Sequence, residues 1–199
     1  LRAIDSTTGL TKWSAELGGQ VVSNIIVANS KLYLATSPIE SDKVPENSYM
    51  RILNPASGIP DRSIELPFSK QIYLGLTDDS VVSVGDGGLV VAVSQNASDT
   101  LWSQSLNVRV SAPPAFSSAS VAISLSDGRL MVLSGSDGST IFFSSWKYKI
   151  SAVALSKSQA LVIGDDRGNV AKFSSGKKER GWKFKSGAAI ASISRSGEY

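Results

Sequence analysis

Apolar and polar positions alternate along this chain in a fixed rhythm. Leu89-Val-Val-Ala-Val93 is an apolar run, Asn96-Ala-Ser-Asp99 a polar turn, and a second run carrying Trp102 ends at Leu106. Two strand-like segments joined by such a turn return along most of the sequence. In the stretch around them the pattern predicts four strands, near 72–76, 81–84, 89–93 and 100–106, and no segment carries a helical stripe of useful length. Runs such as 89–93 and 121–125 are apolar at nearly every residue, which predicts sheets covered on both faces.

The rhythm has a measurable period. Ile52-Leu53, Ala92-Val93, Val132-Leu133 and Lys172-Phe173 lie 40 residues apart, and Ala3-Ile4 precedes the first of them by 49. The excess falls in a polar insertion at about 37–47, where Pro38, Pro45 and mixed charges forbid a regular strand. Gly88, Gly128 and Gly168 keep the same interval and close tight links between apolar runs, which calls for the positive φ that glycine supplies without a Cβ clash. The second turn of each unit is built from Ser6-Thr-Thr-Gly9, Pro55-Ala-Ser-Gly58, Asn96-Ala-Ser-Asp99, Ser136-Asp-Gly138 and Gly176-Lys-Lys178, all turn formers.

One small four-stranded sheet per 40 residues predicts an all-β chain: a β-propeller, or an open segment of one, with four complete blades plus part of a fifth in a single domain over 1–199. The segments 110–112, 150–152 and 190–192 pair one branched residue with two small ones and are expected as innermost strands, with Pro113 and Pro114 at an edge. The final residues resemble a hairpin leading into a missing second strand. A segment of a larger ring is therefore expected over a ring closed by its two ends.

Composition narrows the chemistry. The chain has no cysteine and no histidine, which removes disulfides, thiolate chemistry, the usual general base near neutral pH and the commonest transition-metal ligand. No apolar stretch reaches the roughly 20 residues that a membrane-spanning helix needs. Absence of cysteine leaves the compartment open, with an extracytoplasmic one favoured.

Charge is uneven: residues 1–100 hold 7 basic and 11 acidic residues, and 101–199 hold 13 and 6. Much of the positive excess lies in Lys172, Lys177, Lys178, Arg180, Lys183 and Lys185, interleaved with Phe173, Trp182 and Phe184, a composition that would suit a polyanion or nucleic acid. Alternation favours a plainer reading. Trp182 and Phe184 share one face of a half-buried outer strand while Lys183 and Lys185 share the other, where they discourage edge-to-edge pairing. Asp78-Asp79 and Asp165-Asp166 lack the spacing of a cation loop and are expected as solvated turn carboxylates. Asn96-Ala-Ser98 matches a glycosylation acceptor, a triplet that arises often by chance.

The segment Leu1-Arg-Ala-Ile-Asp-Ser-Thr-Thr-Gly-Leu-Thr-Lys-Trp13 resembles the repeat of the pyrroloquinoline-quinone-type propellers: strand, Asp, turn, Gly, then Trp. Trp102 and Trp182 keep the pattern, whereas Arg62 and Phe142 replace the ring, and Trp146 lies four residues further on. Asp5 becomes Asn54, Ser94, Ser134 and Ser174 in later units. WD40 propellers have a similar period, but their His and Trp-Asp signature is missing.

A quinone dehydrogenase of this type would imply a bound quinone, calcium and a catalytic aspartate in a full ring, and a fragment of one stands as a remote alternative. The adjacent cysteine pair of many such enzymes and a recognisable catalytic block are missing. The expectation is a scaffold or recognition propeller without catalytic residue, cofactor, metal or small-molecule substrate. Its partner would be another protein or a larger assembly, and nucleic acid is not expected. The insertion, with Glu40, Asp42, Lys43 and Glu46, is the candidate partner loop. The tryptophans are expected between blades, where each ring would bury roughly 150–250 Å².

Overall fold

The computed structural model describes residues 1–39, 47–96, 99–156, 158–173 and 180–194. They fall into two compact units, 1–74 with 95–98, and 75–94 with 99–199. All regular structure among the described residues is β.

The first unit opens with an antiparallel hairpin of β1 (Arg2–Ile4) and β2 (Thr11–Ser14), in which Ala3 faces Trp13. A sheet follows, made of β3 (Gln20–Val21), β4 (Ile26–Ala28), β5 (Lys31–Ser37), β6 (Ser48–Leu53) and β7 (Pro60–Leu66), in the order β3-β5-β6-β7 with β4 also on β5. The middle strand β5 is buried along nearly its whole length, as its apolar run requires. Leu32, Leu34 and Leu53 pack there with Leu1, Trp13, Ala15 and Leu17.

Three four-stranded antiparallel sheets come next. The first holds β8 (Ile72–Leu76), on which the boundary between the units falls, then β9 (Ser80–Gly85), β10 (Leu89–Ser94) and β11 (Thr100–Ser105). The second holds β12 (Ala115–Phe116), β13 (Ser120–Ser124), β14 (Arg129–Ser134) and β15 (Thr140–Ser145). The third holds β16 (Ile150–Leu155), β17 (Leu161–Asp165), β18 (Asn169–Phe173) and β19 (Arg180–Lys185). Each is a simple meander in chain order, as propeller blades are.

Between the second and third of these sheets lies a core of Leu130, Val132, Phe142, Trp146, Ile150, Val153, Ile163 and Phe173. Phe142 meets Phe173 edge-on at 5.4 Å between ring centres, and Trp146 meets the same ring at 6.3 Å. Edge-to-face pairs of this kind add to the apolar burial itself.

The repeat is geometric as well as chemical. Register slips between Ala3 and Ile4, Ile52 and Leu53, Ala92 and Val93, Val132 and Leu133, and Lys172 and Phe173, which are the residues that mark the period. A bulge at the same place twists each outer strand and blunts its open edge. The tight links also follow expectation, with φ of +91° at Gly88, +87° at Gly128 and +79° at Gly168. A Cβ on Gly128 would stand 2.5 Å from the carbonyl oxygen of Trp146, so the link closes against the next connection as well as turning the chain.

Innermost strands depart from expectation at two places. Residues 110–112 form only an isolated bridge, Val110 to Leu125, and the short β12 takes the place of the expected strand. Pro113 and Pro114 offer no N–H and hold their φ near −65°, which interrupts the ladder. Residues 190–192 form no strand; Ile190 donates its N–H to the Asp165 carbonyl at 3.0 Å and accepts from the Ser151 hydroxyl at 2.5 Å. Only 150–152 lies in a regular strand, β16.

Candidate functional site

The family-like residues build one recurring device, a ring seated on a turn. Asp5 Oδ1 accepts the backbone N–H of Thr7 and Thr8, both at 2.9 Å, and Gly9 closes the turn at φ +72° with its N–H on the Asp5 carbonyl. Lys12 lies 2.9 Å from the Asp5 carboxylate. That ammonium, with the N–H groups of Thr8 and Thr7, lowers the Asp5 pKa to about 2. Asn54 does the same work one unit later: its Oδ1 accepts Ala56 N–H at 2.8 Å, and Gly58 closes the turn at φ +72°. An amide oxygen serves an Asx turn as well as a carboxylate does.

Onto such turns the tryptophans dock. Trp13 Nε1 donates to the Pro55 carbonyl at 3.0 Å, and its ring lies where a Cβ on Gly58 would stand. In the second unit Trp102 Nε1 donates to the Gly135 carbonyl at 3.0 Å, and a Cβ on Gly138 would approach the ring to 2.6 Å. Glycine is needed there twice over, for φ +73° and for the ring above it.

Where the ring is replaced, other residues take its place. Pro55, Gln95 and Gly135 occupy one repeat position, and β7, the outer strand of the sheet that precedes the one in which Gln95 follows β10, carries Arg62 in place of tryptophan. Tyr33, fully buried on β5, donates its hydroxyl to the Gln95 carbonyl at 3.2 Å instead. Burial and then the Asp61 carboxylate push its phenol pKa up, which keeps it the donor. Phe142 has no N–H to give and packs on Phe173, while Trp146 Nε1 donates to Asp165 Oδ2 at 2.8 Å.

Asp165 corrects the expectation of a solvated turn carboxylate. It is 0% exposed, and besides Trp146 it accepts Arg167 N–H at 2.9 Å, Asn169 N–H at 2.9 Å and Asn169 Nδ2 at 2.7 Å. Burial alone would raise its pKa, but the donors from Trp146, Asn169 and Arg167 outweigh it and hold the carboxyl below its ordinary value. The sequence shows an acidic pair in a turn; the distant Trp146 decides that one member turns inward.

Buried hydroxyls repeat too. Thr77 with Ser80 and Ser117 with Ser120 bond at 2.7 and 3.0 Å, at equivalent positions of successive sheets. These hydroxyls satisfy one another and the nearby backbone, so they are engaged in structure. Among the described residues no three acidic, histidine or cysteine side chains gather as metal ligands. In the first unit an open cleft of about 430 Å³ is lined by Asn29, Lys31, Asn54, Ile59 and Asp61. Its Lys31 is already bound to the Asn96 carbonyl at 3.1 Å.

Of the residues singled out from sequence, Glu40, Asp42, Lys43, Glu46, Lys177 and Lys178 lie outside the described residues. Arg180 opens β19. Lys172 is the cross-strand partner of Trp182, whereas Lys183 faces Ala171, so Lys172 projects from one face of the sheet and Lys183 and Lys185 from the other. The described lysines are thus brought to one sheet but not to one surface. Trp182 and Phe184 are 47% and 60% exposed, more open than the half-buried strand expected.

A further exposed group follows Trp146. Lys147, Tyr148 and Lys149 form the link into β16, and the Lys147 ammonium stands 5.4 Å from the Tyr148 ring centre. Its one sequence signal is the tryptophan displaced by four residues from its usual place.

Antiparallel meander blades at a fixed interval, with rings seated on glycine turns, define a β-propeller of the pyrroloquinoline-quinone-type repeat. The chain belongs to the family described as outer membrane protein assembly factor BamB, which matches residues 46–197. Among solved structures it is similar to BamB from Moraxella catarrhalis, with 17% sequence identity and a TM-score of 0.66 over 89% of this chain. The chain spans about half of that protein, 53% of its length. No curated protein matches it.

Proposed function

We propose that this chain is a non-catalytic recognition propeller that binds another protein within an assembly, in keeping with the assembly role named for its family. The observation that carries this reading is the use made of the repeat's own residues. Trp13, Trp102, Tyr33, Asn54 and Asp165 are all engaged in holding turns and blades together. A fold alone does not give a function, and this family's propellers include enzymes, so the reading rests on that engagement together with the family match.

Two assays test it. Purified protein supplied with pyrroloquinoline quinone, calcium and a redox dye is expected to oxidise neither alcohols nor sugars; turnover would overturn the reading. Capture of a partner by the intact chain is to be compared with capture by a chain lacking 37–47. Loss of capture would assign recognition to the insertion, and unchanged capture would place it elsewhere.

A further inference from the structure

We propose that the link Lys147-Tyr148-Lys149, with the outer face of β15 that leads into it, receives an extended acidic and apolar segment of a partner protein. This rests on the protein-binding reading above and gives it a surface and a partner chemistry.

The link is held rigidly at both ends. Trp146 is buried; its backbone N–H reaches the Gly128 carbonyl at 2.8 Å and its Nε1 reaches Asp165 at 2.8 Å. On the far side the Lys149 carbonyl accepts Asp166 N–H at 3.0 Å, and Ile150 is fully buried. Between these anchors all three side chains are exposed. A connection fixed in this way loses little conformational freedom when it binds.

Among the described residues, the basic side chains of the neighbouring turns and links in this unit are paired with carboxylates, and those of this link are not. Arg109 pairs with Asp86 at 3.3 Å, Arg129 with Asp127 at 2.7 Å and Arg167 with Asp166 at 4.0 Å. Asp165 is buried and fully engaged by its donors. Lys147 and Lys149 form no ion pair among the described residues, which leaves two exposed lysines flanking Tyr148 in the chain.

The strand before the link supplies apolar surface. β15, Thr-Ile-Phe-Phe-Ser-Ser, is an outer strand without a charged residue, and while Phe142 turns into the core, Ile141 and Phe143 are 52% and 46% exposed. The outer strands β7 and β19 carry charges, Asp61, Arg62 and Glu65 on the one and Lys183 and Lys185 on the other; β11 is uncharged like β15, but the link that follows it holds Arg109, paired with Asp86. The slip between Val132 and Leu133 bends the start of β15, so side-chain recognition outweighs main-chain pairing there. A matching segment would set apolar side chains against Ile141 and Phe143 and carboxylates against Lys147 and Lys149.

Protein is favoured over nucleic acid by the same geometry. Two lysines neutralise too few phosphates, and the Lys147 ammonium already stands over the Tyr148 ring where a base would stack.

Fluorescence anisotropy with a labelled peptide of alternating Phe and Ser ending in glutamates tests this, beside the same peptide ending in lysines and an oligothymidylate. The acidic peptide is expected to bind the native chain. Affinity should fall about tenfold in K147E/K149E and severalfold in F143S, weaken with added salt, and stay within about twofold in K183E/K185E. K147Q/K149Q, which only removes the charges, should show an intermediate loss, and matching thermal melts would establish folding. Equal affinity in K147E/K149E, no binding by the native chain, or preference for the oligothymidylate would overturn the proposal. Partner capture that survives K147E/K149E would overturn this surface and leave the protein-binding reading standing, whereas no capture by the native chain would remove both.

Discussion

Asp165 and the docking glycines carry the account at the scale of single residues. The folded-state pKa of Asp165 is depressed, so its contribution to stability is fully present above the unfolded value, about 4, and is lost as pH falls through the lower folded value. Asp165→Asn should lower stability at neutral pH by about 1–3 kcal/mol in denaturant titrations, because a carboxamide sets a donor among donors. It should also flatten the acid limb of the stability curve below about pH 4, and an unchanged acid limb would contradict the assignment. Gly138→Ala and Gly9→Ala offer a matched comparison. Both residues have φ near +72°, but Trp102 covers the first and nothing lies within 4 Å of a Cβ on the second. Gly9→Ala should cost about 1–2 kcal/mol for the backbone alone, and Gly138→Ala clearly more.

At the scale of elements, legibility followed backbone geometry. Turns were readable because positive φ demands glycine at Gly88, Gly128 and Gly168, and the period was readable because the bulged outer strands keep it. The buried state of Asp165 and the substitution of Tyr33 for a missing tryptophan were not. Each depends on a partner far along the chain, Trp146 or Gln95, that no local pattern announces. Segment 110–112 has the composition of an inner strand yet forms only a single bridge, because Pro113 and Pro114 remove the donors a ladder needs. Trp102→Phe and Tyr33→Phe each delete one donor to a turn carbonyl, part-buried in the first and buried in the second, and should each cost about 0.5–1.5 kcal/mol by urea unfolding. A neutral result in both would mean that ring packing alone seats the turns.

For the whole molecule, the repeat's characteristic residues hold blades together, so recognition is to be sought where the period breaks or a link stands free. The insertion and the link after Trp146 are the two such places in the sequence. The first lies largely outside the described residues; the second is displayed between two anchors. The measurement that bears most directly on the account is co-purification of the tagged chain from the host that encodes it, with components of outer-membrane protein assembly quantified by mass spectrometry. A complex of defined stoichiometry that survives purification is the expected result. A chain recovered alone under those conditions would contradict the account.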